Sequence, residues 1–165
     1  MSWMTMMAGR RQRKRVWAFA ATLLTMALCP AGGSANDRIV VDERSGLAIS
    51  GYDPVAYFTD KMPVMGLPTL ERSYDGVVWR FRNTGNRAAF AADPMVYMPR
   101  YGGYDPVALA RGTSVPGHPL IWLVRDQHLY LFYSAAARDA FLRDPARFVA
   151  DADQQWPGVR HQLAY

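Results

Sequence analysis

The sequence predicts an α+β fold made of two related β-hairpin-plus-helix units packed as one domain. Three observations predict it. Gly51-Tyr52-Asp53-Pro54-Val55-Ala56 recurs as Gly103-Tyr104-Asp105-Pro106-Val107-Ala108. An ordered set of further matches follows: Asp75 with Asp126, Trp79 with Tyr130, Phe81 with Phe132, Phe90 with Phe141, Asp93-Pro94 with Asp144-Pro145. Each unit also places two short extended segments around a turn and then a helical pattern. Strands joined by tight turns pair antiparallel, which favours α+β over a parallel α/β sheet. The units span about residues 51–102 and 103–156.

Residues 1–35 read as a secretory signal peptide. Arg10, Arg11, Arg13, Lys14 and Arg15 form a positive stretch, and residues 16–28 form an apolar run. Gly33-Ser34-Ala35 supplies small residues for cleavage after Ala35. The apolar run falls short of the roughly 20 residues that span a bilayer. No stable membrane anchor is expected after cleavage. The expected location is periplasmic or secreted.

Residues 36–165 form the single domain. Each unit opens on Asp-Pro, with Asp as a helix cap and Pro at the first helical position. Residues 70–74 and 77–81 flank Asp75-Gly76, a strong hairpin turn. Residues 120–124 and 128–132 flank Arg125-Asp126-Gln127, a similar turn. Asn83 or Thr84 caps the next helix of the first unit, and Ser134 caps its counterpart over about 135–143. Asp144-Pro145 opens a last helix carrying Phe148, Val149 and Ala152, and His161 falls in a loose tail. The expected core is Val78, Phe81, Phe90, Tyr97, Trp122, Leu129, Leu131, Phe132, Phe141 and Phe148.

Charge and cysteine content exclude several functions. The chain carries a net charge of +5, and the five cations of residues 10–15 account for all of it. The remainder balances acids against bases, so no nucleic-acid partner is expected, because phosphate binding needs surplus cations on the folded part. The one cysteine, Cys29, lies in the signal segment. The processed chain therefore has no disulfide, thiol nucleophile or thiolate metal site.

The remaining chemistry is sparse. His118, His128 and Asp105 fall in one unit and are the candidate metal ligands, although no His-x-His or His-x-x-x-His spacing occurs. Asp53 and Asp105 occupy matched positions and could form an acid/base pair or two helix caps. No Gly-x-Ser-x-Gly elbow occurs. Tyr101, Tyr104, Trp79, Trp122 and Trp156, with Arg100 and Arg111, suit a shallow aromatic pocket for a small molecule or a protein partner.

At this point the residues reach a known family. Gly51 to Phe58, Gly66, Trp79-Arg80-Phe81, Asn86, Phe90, Pro94, Tyr97, Tyr101-Gly102-Gly103-Tyr104, Leu129-Tyr130-Leu131 and Trp156-Pro157 together resemble exported bacterial YHS-domain proteins. The resemblance covers about residues 47–158. It implies the fold and an association with metal handling, copper in particular. It also implies cysteines that this chain lacks. Their matching positions hold Ala56, Arg82 and Asn86 in the first unit, and Ala108, Tyr133 and Ala137 in the second. Relatives that carry Cys or selenocysteine after Tyr-Gly-Gly-Tyr are matched here by Asp105.

The expectation is an exported, non-catalytic module binding a small molecule or protein, with no cofactor. Its expected ligand-binding residues are Tyr52, Asp53, Tyr101, Tyr104, Asp105 and His118, where the openings of the two units meet. Two alternatives stay open: copper or zinc bound through His118, His128 and Asp105, and an enzyme using Asp105 in place of the family cysteine.

Overall fold

Residues 39–163 are described by the structure, a computed structural model. The signal-peptide reading, Cys29 and the cleavage position after Ala35 lie outside those residues.

The fold is α+β, with helices around two separate two-stranded antiparallel sheets. Strand β1 (Leu67–Tyr74) pairs with β2 (Val77–Phe81). Strand β3 (His118–Arg125) pairs with β4 (His128–Phe132). Asp75 and Gly76 both have positive φ, as a two-residue hairpin turn of the right twist demands. Asp126 and Gln127 adopt the same conformation without glycine, with φ of 49° and 59°. The second turn is therefore two residues, not the three expected, and Arg125 stays in the strand. Both first strands start about two or three residues earlier than expected. In each, the register shifts once, between Leu67 and Glu71 and between His118 and Trp122.

Short helices α1 (Ala56–Thr59) and α4 (Pro106–Leu109) precede the hairpins. After the first hairpin come α2 (Thr84–Ala92) and α3 (Pro94–Tyr97). After the second come α5 (Ala135–Arg143) and α6 (Pro145–Gln162). Asn83 caps α2 by accepting the Asn86 N–H at 2.7 Å, and Ser134 caps α5 by accepting that of Ala137 at 3.2 Å.

The match between halves extends to the backbone. Leu47 bridges Val78 in parallel, and Pro99 bridges Leu129 likewise. The Gly66 N–H donates to the Gly51 carbonyl and the Gly117 N–H to the Gly103 carbonyl, each at 2.9 Å. Ile49 and Tyr101 stand two residues before those carbonyl glycines, and both hold φ near +50° (43° and 56°). That conformation is strained for a side chain with Cβ, and most of all for a β-branched one.

Two apolar clusters form the core. One gathers Trp79, Phe81, Phe90, Tyr57 and Ile49, and the other Tyr130, Phe132, Phe141, Phe148 and Val159. Strand β4 serves both: Leu129 and Leu131 enter the first cluster, Tyr130 and Phe132 the second. Alternation along a strand sends successive side chains to opposite faces, so β4 is buried on both. Strand β2 buries only one face, through Val77, Trp79 and Phe81.

Val78 is consequently half-buried and Trp79 takes the core position expected of it. Val78 and Phe81 differ by three residues, so one strand face cannot hold both. Tyr97 and Trp122 are also only half-buried, packed edge-on against Phe58 and Tyr57. His161 belongs to α6 rather than to a loose tail. Pro157 and Gly158 are local stop signals, but burial of Phe148, Ala152 and Val159 on one side carries the helix through them. Among the described residues, no helix is long and apolar enough to cross a membrane.

Candidate functional site

The six expected site residues do not form one site. Asp53 and Asp105 are 0% and 2% exposed. Asp53 Oδ1 accepts the Val55 N–H at 2.9 Å, and Oδ2 accepts the Arg82 N–H and an Asn86 side-chain N–H at 2.8 and 2.7 Å. Asp105 Oδ1 accepts N–H groups of Val107 and Ala108, and its Oδ2 that of Tyr133 at 2.9 Å. Each carboxylate thus spans from a helix start to the residue just after a hairpin. Every one of those donors is a fixed N–H, so a proton-transfer or nucleophilic role would have to break a structural bond.

The openings of the two halves do meet, through one residue, Val40. The Val40 N–H donates to the Gly102 carbonyl at 2.8 Å, and the Val40 carbonyl accepts the Ile49 N–H at 3.1 Å. Tyr52 packs against the first cluster, and Tyr101 and Tyr104 belong to the second. His118 is exposed, with Nδ1 accepting the Leu120 N–H at 3.2 Å. It lines a hollow of about 440 Å³ with Asp42, Glu43, Arg44 and Tyr133. His128 lines a different cleft. Among the described residues, no group of three or more His, Cys, Asp or Glu is placed to hold a metal ion.

That second cleft is the better built. It has a volume of about 420 Å³ and draws on five elements. The β1–β2 turn gives Asp75, α3 and its exit give Met95 and Met98, and the turn after Pro99 gives Arg100 and Tyr101. The start of β4 gives His128, and α6 gives Trp156 and Arg160. The Arg100 guanidinium holds Asp153 through both carboxylate oxygens, at 2.7 and 2.9 Å, and reaches the Tyr130 hydroxyl at 3.2 Å. Tyr101 donates its hydroxyl to the same Asp153 at 2.8 Å, and its ring lies edge-on to Trp156 at 5.9 Å. Tyr104 meets the indole of Trp156 as well, at 6.1 Å.

Burial opposes ionisation of both cleft residues. It raises the Tyr101 hydroxyl, which the hydrogen bond to Asp153 raises further, so the phenol stays neutral. Burial by itself would lower Arg100, but the bond to Asp153 together with the interactions of Tyr101 and Tyr130 outweighs it, and the net shift is upward. The wall is therefore a fixed neutral phenol beside a compensated ion pair, not a reactive pair.

Tyr101, Arg100 and Trp156 of the expected aromatic pocket are thus found together, with Tyr104 behind them. Trp79 lies fully buried in the other cluster, and Trp122 packs on Tyr57. The sequence reading missed Met95, Met98 and Arg160. Two methionines three residues apart directly after Asp-Pro were the available signal, since a helix of four residues needs no such apolar pair.

No family model, no curated protein and no solved structure matches the chain.

Proposed function

We propose that the protein is an exported, YHS-like, non-catalytic binding module that takes its ligand in the cleft beside Tyr101 and Trp156. The observation that carries this reading is the cleft itself. It is a concave site of about 420 Å³ with an aromatic wall and a few fixed polar groups. That is the usual make-up of a small-molecule site. The saturated carboxylates of Asp53 and Asp105 support a binding role over a catalytic one. The ordered resemblance over residues 47–158 supports the YHS-like assignment, and the reading of residues 1–35 supports export.

The test is a fragment screen by ¹⁵N NMR on the purified protein. Ligands are expected to shift the amides of residues 100–102 and the Trp156 indole N–H as one group. Trp156→Leu is expected to weaken them while leaving the melting temperature within a few degrees. Hits that bind only elsewhere, or hits indifferent to Trp156→Leu, would sink the proposal.

A further inference from the structure

Strand β3 is apolar and has an open side. Strand β4 pairs with one of its edges, and among the described residues no strand or isolated bridge lies on the other. The hairpin fixes which backbone groups face that open edge. In a two-residue hairpin the residues flanking the turn exchange both backbone bonds, and bonded pairs then alternate with non-bonded ones. Arg125 with His128 and Leu123 with Tyr130 are therefore bonded across the hairpin. Trp122 and Val124 point their N–H and C=O groups outward. The first hairpin has the same parity: Val78, opposite Ser73, sends its carbonyl outward to the Ala48 N–H. Among the described residues, no hydrogen bond falls on the outward groups of Trp122 and Val124.

The side chains along this edge are only half covered. Trp122 and Val124 pack against the first cluster, Ile121 and Leu123 against the second, and all four are half-buried. Leu129, Tyr130, Leu131 and Phe132 of β4 are buried. The difference is one of neighbours: β4 is flanked by β3 and by the Pro99 bridge, and β3 by β4 alone. A strand added to the open edge would supply backbone partners and cover both faces at once.

The two halves treat this edge differently, and the difference selects the occupant. On β1 the outward residues are Glu71 and Ser73 by the same count. A second copy pairing antiparallel there, about a two-fold axis, has three central registers. They set Glu71 against Glu71, Arg72 against Arg72, or Glu71 against Asp75. Each puts like charges face to face, which is destabilising, and charge on an edge is a common defence against such pairing. On β3 a two-fold axis at Trp122 sets Trp122 against itself, Ile121 against Leu123 and Leu120 against Val124. Arg125 falls opposite Pro119. Asp126, whose side chain is 83% exposed, comes to the exposed His118 end of the other copy, an acid against an imidazole.

We infer that β3 is a self-association edge, on which a second copy of this chain pairs antiparallel about a two-fold axis at Trp122. Both copies use the same patch, so the contact closes on itself as a dimer. A single strand pair is smaller than the roughly 800 Å² per partner of a standard complex, so the dimer is transient, with a Kd between about 10 μM and 1 mM.

The test is NMR translational diffusion and amide hydrogen exchange on the full-length chain between about 10 μM and 1 mM. Reductant is present because Cys29 is the only thiol. Diffusion is expected to slow with concentration. Exchange at Trp122 and Val124 is expected to slow about twofold or more, because even at the weakest Kd half the chains are paired at the top concentration. Leu123, already bonded to Tyr130, and Ser73, outward on β1, are expected to change little. Leu120 is 52% exposed, so Leu120→Lys is expected to keep the melting temperature within a few degrees. It is expected to weaken association roughly tenfold, since the two-fold axis counts each loss twice. Thr69→Lys, at the matching exposed position of β1, is expected to associate as the parent does. A chain still monomeric at about 1 mM would overturn the inference and leave the edge to a strand of another protein. So would a dimer whose Trp122 and Val124 amides exchange unchanged, or a Leu120→Lys variant that associates as the parent does.

Discussion

Asp53 and Asp105 perform the same structural act in the two halves of the chain. Each accepts a backbone N–H two residues ahead and, with the other oxygen, the N–H of the residue that follows a hairpin, Arg82 or Tyr133. The carboxylate ties the start of a short helix to the end of a strand. A helix cap alone is worth about 1 kcal/mol. Asp105→Ala also leaves the Tyr133 N–H without its acceptor, so the expected cost is about 2–4 kcal/mol. Urea denaturation checks this through a lower midpoint at unchanged slope. Asp53→Ala is expected to cost at least as much, because it also strands the Asn86 amide. A loss below about 1 kcal/mol for either variant would mean that only the cap matters.

The glycine before each first strand yields a sharper prediction. A Cβ on Gly117 would lie 2.6 Å from the Leu131 Cβ and 2.7 Å from the Gly103 carbonyl oxygen. One on Gly66 would collide with Arg80, the residue matching Leu131. Neither obstacle is the tip of a flexible side chain. Gly117→Ala and Gly66→Ala are each expected to cost about 3 kcal/mol or more, the upper end of overpacking. Gly158 gives the contrast, since a Cβ there meets nothing within 4 Å and the residue lies in α6. Gly158→Ala is expected to stabilise by about 0.5–1 kcal/mol. Calorimetric melting of the three variants distinguishes crowding from a general intolerance of glycine replacement.

Much of this fold was legible from residue patterns, and the failures share one cause. The hairpins, the Asn83 and Ser134 caps and the α+β character follow from local chemistry: turn residues, hydroxyl and amide caps, and alternation. The two-faced burial of β4 was not legible, because it depends on where the first cluster packs. Neither was the passage of α6 through Pro157, which burial of Val159 on the second cluster decides. The site divided in the same way. Asp105 could be read as a cap from its Asp-Pro setting, whereas α1 starts only at Ala56 with Val55 at its cap position, so Asp53 holds the turn before that helix instead. The long-range partners Arg82 and Tyr133 could not be read at all. Met98 and His128 are 30 positions apart, and only the bridge between Pro99 and Leu129 makes them neighbours.

Arg100 and Asp153 join the turn after Pro99 to α6 across the second cluster. Their side chains are 26% and 48% exposed, so water screens the pair. Both contacts come from one guanidinium nitrogen, Nη2, so Asp153→Asn is expected to cost no more than about 1 kcal/mol. It also removes the acceptor of the Tyr101 hydroxyl. The informative readout is therefore local: faster hydrogen exchange at residues 100–102 with little change in global stability. A loss of several kcal/mol would instead mark the pair as part of the folding core.

Two buried tyrosines set the behaviour of the fold in alkali. The Tyr57 hydroxyl donates to the Pro119 carbonyl at 2.9 Å, and burial pushes its ionisation well above that of an ordinary tyrosine, helped by Tyr52 and Asp53. Tyr101 is raised in the same direction. A raised pKa in the folded state means that the unfolded chain loses its proton first. The stabilisation is then complete below the unfolded value of about 10 and drains away as pH climbs above it. For Tyr57 the slope is about 1.4 kcal/mol per pH unit in that window. Tyr101 adds a smaller decrement of the same sign. Denaturation midpoints measured between pH 9 and 11.5 are expected to fall steeply above pH 10. Tyr57→Phe is expected to be less stable at neutral pH, because the Pro119 carbonyl loses its donor, yet to show the shallower alkaline decline. Parallel pH profiles for the parent and Tyr57→Phe would mean that Tyr57 ionises alike in the folded and unfolded chains.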